Sequence, residues 1–540
     1  MTYNDNKMES AQQITEGILF TDFYELTMAQ LYFLTGMHDK QVVFDYFFRE
    51  YPDYGSHKAG YCINAGLETL VSWMKSVRFG SKEIELLQNL KGSNKKPIFK
   101  KEFLSWLEKN GNFDSISIRA IPEGRVVHAN VPLAQVQGPL AAAQILESSF
   151  LNHLNYQILV ATKACRIKQA AHLNLTIEFG MRRGHNKGVN AGTRAALIGG
   201  ADFSSNTGIS LALGIPPKGT HAHSMVQAFM ATGHSELDAF EAYSQIYPDD
   251  CLLLVDTIDT LRSGIPNAIK IFEKLKKTGH KPLGIRLDSG DLAYLTIQAA
   301  KMLNEAGFKD EKIFLSNDLD EIVIWQILEQ IKKEASNYNL DASRLVNRIG
   351  FGVGTRMITS RGKSALDGVY KLAAITRSAS SAMCFEDKRN TQNAERNTKW
   401  FPAMKVSENP SKTINPGYKN VWRIYDNRGK AAADLLALND EIPAEEQNLT
   451  LNHPIATSIK RTLNKEEISN IEPLLIDILH ESSLTYSFPS IDSIRLARDE
   501  DLEKLDDGVK RFINPHTYHV SLTDKLWNLK QELISSCKND

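Results

Sequence analysis

Four short apolar runs decide how this chain is read: Leu252-Leu253-Leu254-Val255-Asp256, Leu283-Gly284-Ile285-Arg286-Leu287-Asp288, Ile313-Phe314-Leu315-Ser316-Asn317 and Ile349-Gly350-Phe351-Gly352-Val353-Gly354-Thr355. Each has the length and apolar character of a buried parallel strand, and each closes on polar residues or glycine. Helical stretches at Pro266–Lys277, Leu292–Ala306 and Glu321–Glu334 separate them. The strand ends at Asp256, Asp288, Asn317 and Gly352 recur about every 30 residues, the length of one βα unit. A further strand of the same kind is expected at Ile177–Phe179. The pattern predicts an α/β fold whose polar strand ends share one rim. An α/β barrel sets them around a mouth, whereas a doubly wound sheet sets them along an edge. No dinucleotide fingerprint opens the series, which favours the barrel.

Upstream, Ile116–Ala120 alternates apolar residues with Ser117 and Arg119, the period of a strand. Pro122, Gly124, Pro132, Gly138 and Pro139 then divide the chain into short strands and turns. Leu146, Phe150, Leu154 and Ile158 form the stripe of a helix. Near the start, Asp22 is expected to cap a helix and Glu25 to close a capping box. Downstream, Ser378–Asn409 reads as a long exposed connection, Trp422–Leu438 as a hairpin turning at Asp426-Asn427-Arg428-Gly429, and Asp524–Ser535 as a helix. The expected organisation is a polar tail at 1–17, a mixed β-rich domain at 18–150, the barrel at 151–377, and a C-terminal region at 378–540.

Composition narrows the function. Among 540 residues, 42% are hydrophobic and 24% charged, the mixture of a soluble globular protein. Sixty-three basic residues nearly cancel 64 acidic ones, and a net charge of -1 gives no global pull toward nucleic acid or anionic lipid. Neither nucleic acid nor membrane is an expected partner, since no apolar run approaches the ~18 residues of a membrane helix. The polar N-terminus does not read as a signal peptide. Five cysteines show no paired spacing for zinc or disulfides. The expectation is a reduced, cytoplasmic enzyme.

Candidate chemistry gathers in three places. Glu178-Phe179-Gly180-Met181-Arg182-Arg183-Gly184 sets two arginines beside glycines, suited to forked recognition of carboxylate or phosphate. Phe179 either stacks on a planar ring or packs in the core. In Gly219-Thr220-His221-Ala222-His223-Ser224, a histidine can act as nucleophile or acid/base, while His221 reads as structural. Gly352-Val353-Gly354-Thr355 offers N–H groups and a hydroxyl to a phosphate. Arg361-Gly362-Lys363-Ser364 is no P-loop, because Met357 stands where the first glycine belongs.

Read jointly, these stretches resemble nicotinate phosphoribosyltransferases. The likeness begins at Thr21-Asp22-Phe23-Tyr24-Glu25-Leu26-Thr27-Met28-Ala29-Gln30 and runs through Phe47-Phe48-Arg49, Ala65-Gly66-Leu67-Glu68, Glu178–Arg183, Ser204-Ser205-Asn206, Gly219–Ser224, Arg286–Asp291 and Phe351–Thr355. It implies an irregular α/β barrel with a β-rich second domain built mainly from N-terminal segments. The implied reaction joins nicotinate and phosphoribosyl diphosphate, with ATP as co-substrate and Mg2+ as cofactor, in a cytoplasmic homodimer with shared active sites. By the same likeness Tyr24, reaching from the neighbouring subunit, and Phe179 sandwich the pyridine ring. Arg182 and Ser205 face its carboxylate, Arg286 and Asp288 position ring and ribose, and Arg49 contacts phosphate. Ser316, Asn317, Gly352, Gly354 and Thr355 hold the 5′-phosphate, and His223 becomes phosphorylated while Asp256 orients it. The metal's ligands are not implied.

One departure stands out: the family's Gly-Thr-Ser-Asn reads Phe203-Ser204-Ser205-Asn206. Nicotinamide phosphoribosyltransferases carry aspartate where Ser205 stands. A carboxylate there repels nicotinate, whereas a hydroxyl can donate to it. A quinolinate-using relative and a generic or non-catalytic phosphate-binding barrel compete with this reading of the chain.

Overall fold

Six strands form one all-parallel sheet: Leu175–Glu178 (β1), Phe203–Ser204 (β2), Leu252–Leu254 (β3), Gly284–Leu287 (β4), Lys312–Ser316 (β5) and Ile349–Val353 (β6). They belong to a computed structural model that describes residues 14–377, 400–409, 412–456 and 458–539. The spatial order is β2-β1-β6-β5-β4-β3. Neighbours follow chain order from β3 to β6, and β6 then pairs with β1, as the last strand of a barrel pairs with its first. A doubly wound sheet would reverse from an inner strand instead. The sheet is a half barrel whose two ends, β2 and β3, are not paired with each other among the described residues.

The helices fall where the apolar periodicity places them, at Ile265–Lys277, Leu292–Glu305 and Glu321–Glu334. Asp291 and Asp320 cap the last two, each accepting from two backbone N–H groups. The strand β2 escaped sequence reading, since two residues carry no period.

This unit comprises Asp53–His57 and Leu159–Ser364. The short piece Asp53–His57 is tied in by Glu321, which is wholly buried. The Glu321 carboxylate bonds His57 Nε2 at 2.8 Å, Lys163 Nζ at 2.6 Å and Arg166 Nε at 3.1 Å.

The other unit takes its described residues from Met1–Pro52, Lys58–Ile158 and Ala365–Asp540. Its seven-stranded sheet runs Trp400–Pro402, Gly368–Thr376, Gln41–Phe48, Ala134–Pro139, Ser117–Ala120, Ile476–His480, Ser483–Leu484. A second, six-stranded sheet lies wholly beyond residue 418 and contains the expected hairpin, Lys419–Asp426 against Ala431–Leu438. Ile424, Ala433, Leu435, Leu449, Leu451 and Leu463 form its core. The C-terminal third therefore contributes strands to the β-rich unit alongside the N-terminal segments. Of the expected connection Ser378–Asn409, residues 378–399 lie outside the described residues, as does most of the 1–17 tail, and Trp400–Pro402 is a half-buried edge strand paired with Ala374–Thr376 rather than exposed connection. The stripe from Leu146 to Ile158 lies on the helix Glu147–Ala171 and in the turn before it, and the final helix is Asp524–Asn539.

One local expectation fails. Asp22 stands at the N-cap of helix Phe23–Leu34 but makes no capping hydrogen bond. Its carboxylate accepts from Ser148 at 2.8 Å, while the buried Glu25 accepts from Gln144 at 2.6 Å and Ser148 at 3.1 Å. Tertiary partners have outcompeted the helix's own N–H groups. Burial lifts the Glu25 carboxyl to about 7.

Burial alone would raise Glu321, but the bond from His57 and the cations of Lys163 and Arg166 hold it well below the usual carboxylate range. With the folded pKa below the unfolded one, its contribution is complete above the unfolded value and is lost as pH falls toward the folded one. Glu321→Gln should destabilise by about 3 kcal/mol at neutral pH. Thermal melts should show the wild type losing stability more steeply than the variant in acid; equal slopes would refute this ion-pair account.

Candidate active site

The C-terminal ends of the parallel strands carry an almost continuous line of bonded polar groups. Asp256, two residues past β3, is central and its side chain is 2% exposed. One carboxylate oxygen accepts from His223 Nε2 at 3.1 Å. The other accepts from the Asp288 backbone N–H at 3.0 Å and the Ser289 hydroxyl at 2.6 Å. A carboxylate only accepts, so Nε2 carries the His223 proton facing Asp256 and Nδ1 points elsewhere.

Past β4 the line continues. Arg286 donates from Nε to Ser316 Oγ at 2.9 Å and from a terminal nitrogen to Asp288 Oδ1 at 3.1 Å. The Ser316 hydroxyl in turn donates to Asp288. The Arg286 guanidinium lies over the Phe179 ring, 5.2 Å from its centroid. Phe179 is half-buried rather than core, and its ring rests on Gly352. A Cβ at Gly352 would come within 2.3 Å of the ring. That glycine, inside β6 one residue before its end, therefore seats the aromatic.

Phe179, Arg182, Arg183, Arg286, Asp288, Ser316, Asn317, Gly352, Gly354 and Thr355 all line one cleft. Arg182 and Arg183 sit in a 3-10 turn and are exposed. Behind them the buried Glu178 side chain accepts from Gly180 N–H, from Thr193 at 3.1 Å and from Ser204 at 2.6 Å. Burial raises its carboxyl. Ser205 donates its N–H to the Glu178 carbonyl at 3.0 Å, which fixes it beside Phe179 in the chain path. Phe203, where the family carries glycine, lies in β2 opposite Ile177 and has no positive φ, so the strand accepts a side chain there.

Tyr24 and Arg49 belong to the other unit. Tyr24 is 46% exposed on helix Phe23–Leu34. Arg49 follows the strand Gln41–Phe48, with its guanidinium 5.9 Å from the Phe47 ring centroid.

Two features had no signal in local sequence. Asn317 and Asp318 both adopt positive φ, 105° and 48°, which is strained for non-glycine residues. Arg356 pins this turn through Asp318 at 2.6 Å and Asp320 at 2.5 Å, and Arg361 adds a bond to Asp318 at 2.8 Å. Ser289 is the second: its tie to Asp256 depends on the pairing of β3 with β4.

Comparison with known proteins fits this geometry. The chain matches the models of the nicotinate phosphoribosyltransferase N-terminal domain over residues 19–155, the nicotinate phosphoribosyltransferase family over 175–413, and the family's C-terminal domain over 418–530. The half barrel with its β-rich companion is the fold of human nicotinic acid phosphoribosyltransferase, with TM-score 0.75, 25% identity, and coverage of 95% of this chain and 99% of that one. Over 525 residues the chain is 36% identical to nicotinate phosphoribosyltransferase of Bacillus subtilis (strain 168), covering 96% of each. The Caenorhabditis elegans enzyme of the same name is 30% identical, covering 95% of this chain and 93% of the relative. The chain belongs to the nicotinate phosphoribosyltransferase family.

Gly352→Ala should displace the Phe179 ring from Arg286 at a cost of about 1–3 kcal/mol, the usual penalty of overpacking. A crystal structure of the variant checks it; an unmoved ring would show that the cleft wall yields instead.

Proposed function

We propose that the chain joins nicotinate to phosphoribosyl diphosphate, giving nicotinate mononucleotide and pyrophosphate, with ATP hydrolysis coupled through a phosphohistidine at His223. The observation that carries this reading is the convergence of Phe179, Arg286 and Asp288 with the His223–Asp256 pair along one rim. Membership of the family supplies the substrates.

In this reading Phe179 stacks on the pyridine ring, and Arg182 and Ser205 receive its carboxylate. The ring nitrogen attacks the anomeric carbon as the bond to pyrophosphate breaks, and positive charge builds on the sugar as in glycoside cleavage. Asp288, held by Arg286 and Ser316, stabilises that cation. The nitrogen is a weak nucleophile, so alignment by stacking and the arginine clamp supplies most of the advantage. Asn317, Gly352, Gly354 and Thr355 hold the 5′-phosphate, with the Ser316 hydroxyl beside them, and Arg49 adds a phosphate contact.

His223 Nδ1 attacks the γ-phosphorus of ATP, ADP leaves, and Asp256 holds the proton on Nε2 and the positive ring. Later attack by water on the phosphohistidine releases phosphate and returns the neutral imidazole, which couples ATP cleavage to the binding cycle. Mg2+ binds one or two carboxylates together with substrate phosphates. Asp288, at the cleft with its side chain 25% exposed, suits a Mg2+ carried in on the diphosphate. When bound, the ion offsets the charge of the departing pyrophosphate.

Exposed Tyr24 is read as the second face of the ring sandwich in a partner's site, making the working unit a homodimer. No helix among the described residues is long and apolar enough to cross a membrane. The reading places the enzyme in the cytoplasm, where buried thiols such as Cys62, Cys165 and Cys251 stay reduced.

The test is a product assay with nicotinate, phosphoribosyl diphosphate and Mg2+, with and without ATP. His223→Ala should abolish ATP stimulation while slow, ATP-independent nucleotide formation persists; intact ATP dependence removes the role from His223. Ser205→Asp should lower kcat/KM for nicotinate by roughly a hundredfold, the scale of a carboxylate facing a carboxylate in a pocket. Unchanged discrimination against nicotinamide would place specificity elsewhere.

A further inference from the structure

The open side of the half barrel is bridged by a loop instead of a strand. Lys218 N–H bonds the Ser204 carbonyl on the β2 edge at 3.0 Å. Two residues on, Thr220 Oγ1 donates to the Leu252 carbonyl on the β3 edge at 3.0 Å. Leu254 N–H, on that same edge, donates to His221 Nε2 at 3.1 Å. Leu252 and Leu254 are the i and i+2 groups that a neighbouring strand would pair, so Thr220 and His221 side chains replace a missing ladder.

The bond fixes the chemistry of His221. To accept at Nε2 the ring must be neutral with its proton on Nδ1, which faces the Ala222 carbonyl at 3.4 Å. Tyr243, 5.0 Å away between ring centroids, and Phe240, 6.1 Å away, enclose it. Burial, with lesser pushes from Arg286 and His223, brings His221 down to about 4, so the acceptor persists at neutral pH. His223 begins the helix His223–Ala231 immediately afterwards and reaches Asp256 just past the same β3 edge.

We propose that His221 is the positioning residue that seals the open side of the half barrel and thereby sets His223 against Asp256. This rests on the reading of His223 as the phosphate acceptor. His221 touches no reacting atom; it fixes the start of the helix relative to β3, and hence the Nε2–Asp256 bond that leaves Nδ1 aimed at ATP.

The test compares wild type, His221→Leu, His221→Gln and His223→Ala for base-stable, acid-labile labelling from γ-labelled ATP, and for KM of nicotinate. His221→Leu should slow labelling and reduce ATP stimulation by roughly tenfold or more, the scale of one lost buried hydrogen bond, with KM for nicotinate within about twofold. His221→Gln, whose amide oxygen can accept near the Nε2 position, should recover most of the labelling rate. Wild-type labelling in His221→Leu, or no recovery in His221→Gln, overturns the proposal. So does an equal fall in ATP-independent synthesis, which marks general loss of packing. Should His221→Leu not fold, the nitrogen-15 spectrum of the wild type decides: a protonated Nε2 on His221 at pH 7 overturns the proposal, and a protonated Nδ1 supports it. Labelling that survives in His223→Ala instead sinks the reading of His223 itself, an outcome distinct from all of these.

Discussion

One buried carboxylate, Asp256, holds three neighbours in place: the His223 ring, the Asp288 backbone and the Ser289 hydroxyl. Hydrogen bonds to a charged acceptor are each worth about 1.5–3 kcal/mol net, so the set outweighs the side-chain freedom it removes. Its consequences travel along the rim. Fixing the Asp288 backbone fixes its carboxylate, which receives Arg286 and Ser316; Arg286 then covers one side of Phe179, and Gly352 supports the ring. Five strand ends are thereby linked, by contacts between neighbouring strands except where Arg286 on β4 reaches Phe179 beyond β1. Most of this line is aimed by bonds between neighbouring strand ends, which is the advantage of building a site on the ends of parallel strands.

The half barrel was legible in sequence because buried parallel strands are nearly all apolar, and because β3 to β6 repeat at the spacing of a βα unit. Where the ring of strands opens was not. β2 is two residues long, and the gap beside it is filled by a loop whose bonds join Ser204, Leu252 and Leu254 to residues 218–221. Such contacts leave no trace in periodicity. The β-rich unit was only partly legible for a related reason: its seven-stranded sheet flanks three strands from before residue 140 on both sides with strands from after 367, and strand order is a long-range property.

Local motifs misled wherever a tertiary partner was stronger than the local one. Asp22 and Glu25 have the spacing of a capping box, but Ser148 donates to the exposed Asp22, and Gln144 and Ser148 donate to the buried Glu25. The turn at Asn317 and Asp318 shows the converse. Asn and Asp tolerate positive φ better than other side chains, but the conformation is held by Arg356 and Arg361, which lie some 40 residues away in the chain. Gly352 was legible as a glycine that mattered, though its packing under Phe179 required the pairing of β6 with β1 to be known.

The two histidines of the loop illustrate how one short segment can divide structural and chemical work. His221 is 9% exposed and accepts a bond from a backbone amide, so protonation would break the bond that seats it. The His223 side chain is 37% exposed and faces a carboxylate, so a positive ring there is offset by charge. His223 also occupies the first turn of a nine-residue helix, where unpaired N–H groups and the helix dipole favour negative charge by about 0.3–1 kcal/mol. Under the proposed mechanism the helix end therefore favours the phosphate on Nδ1 while Asp256 favours the cation of the ring that bears it. Asp256 also lies close enough to repel that phosphate. Under that mechanism a phosphoryl group would lie between a favourable dipole and an unfavourable carboxylate. The opposed terms are what a phosphohistidine that both forms and discharges would require under that mechanism.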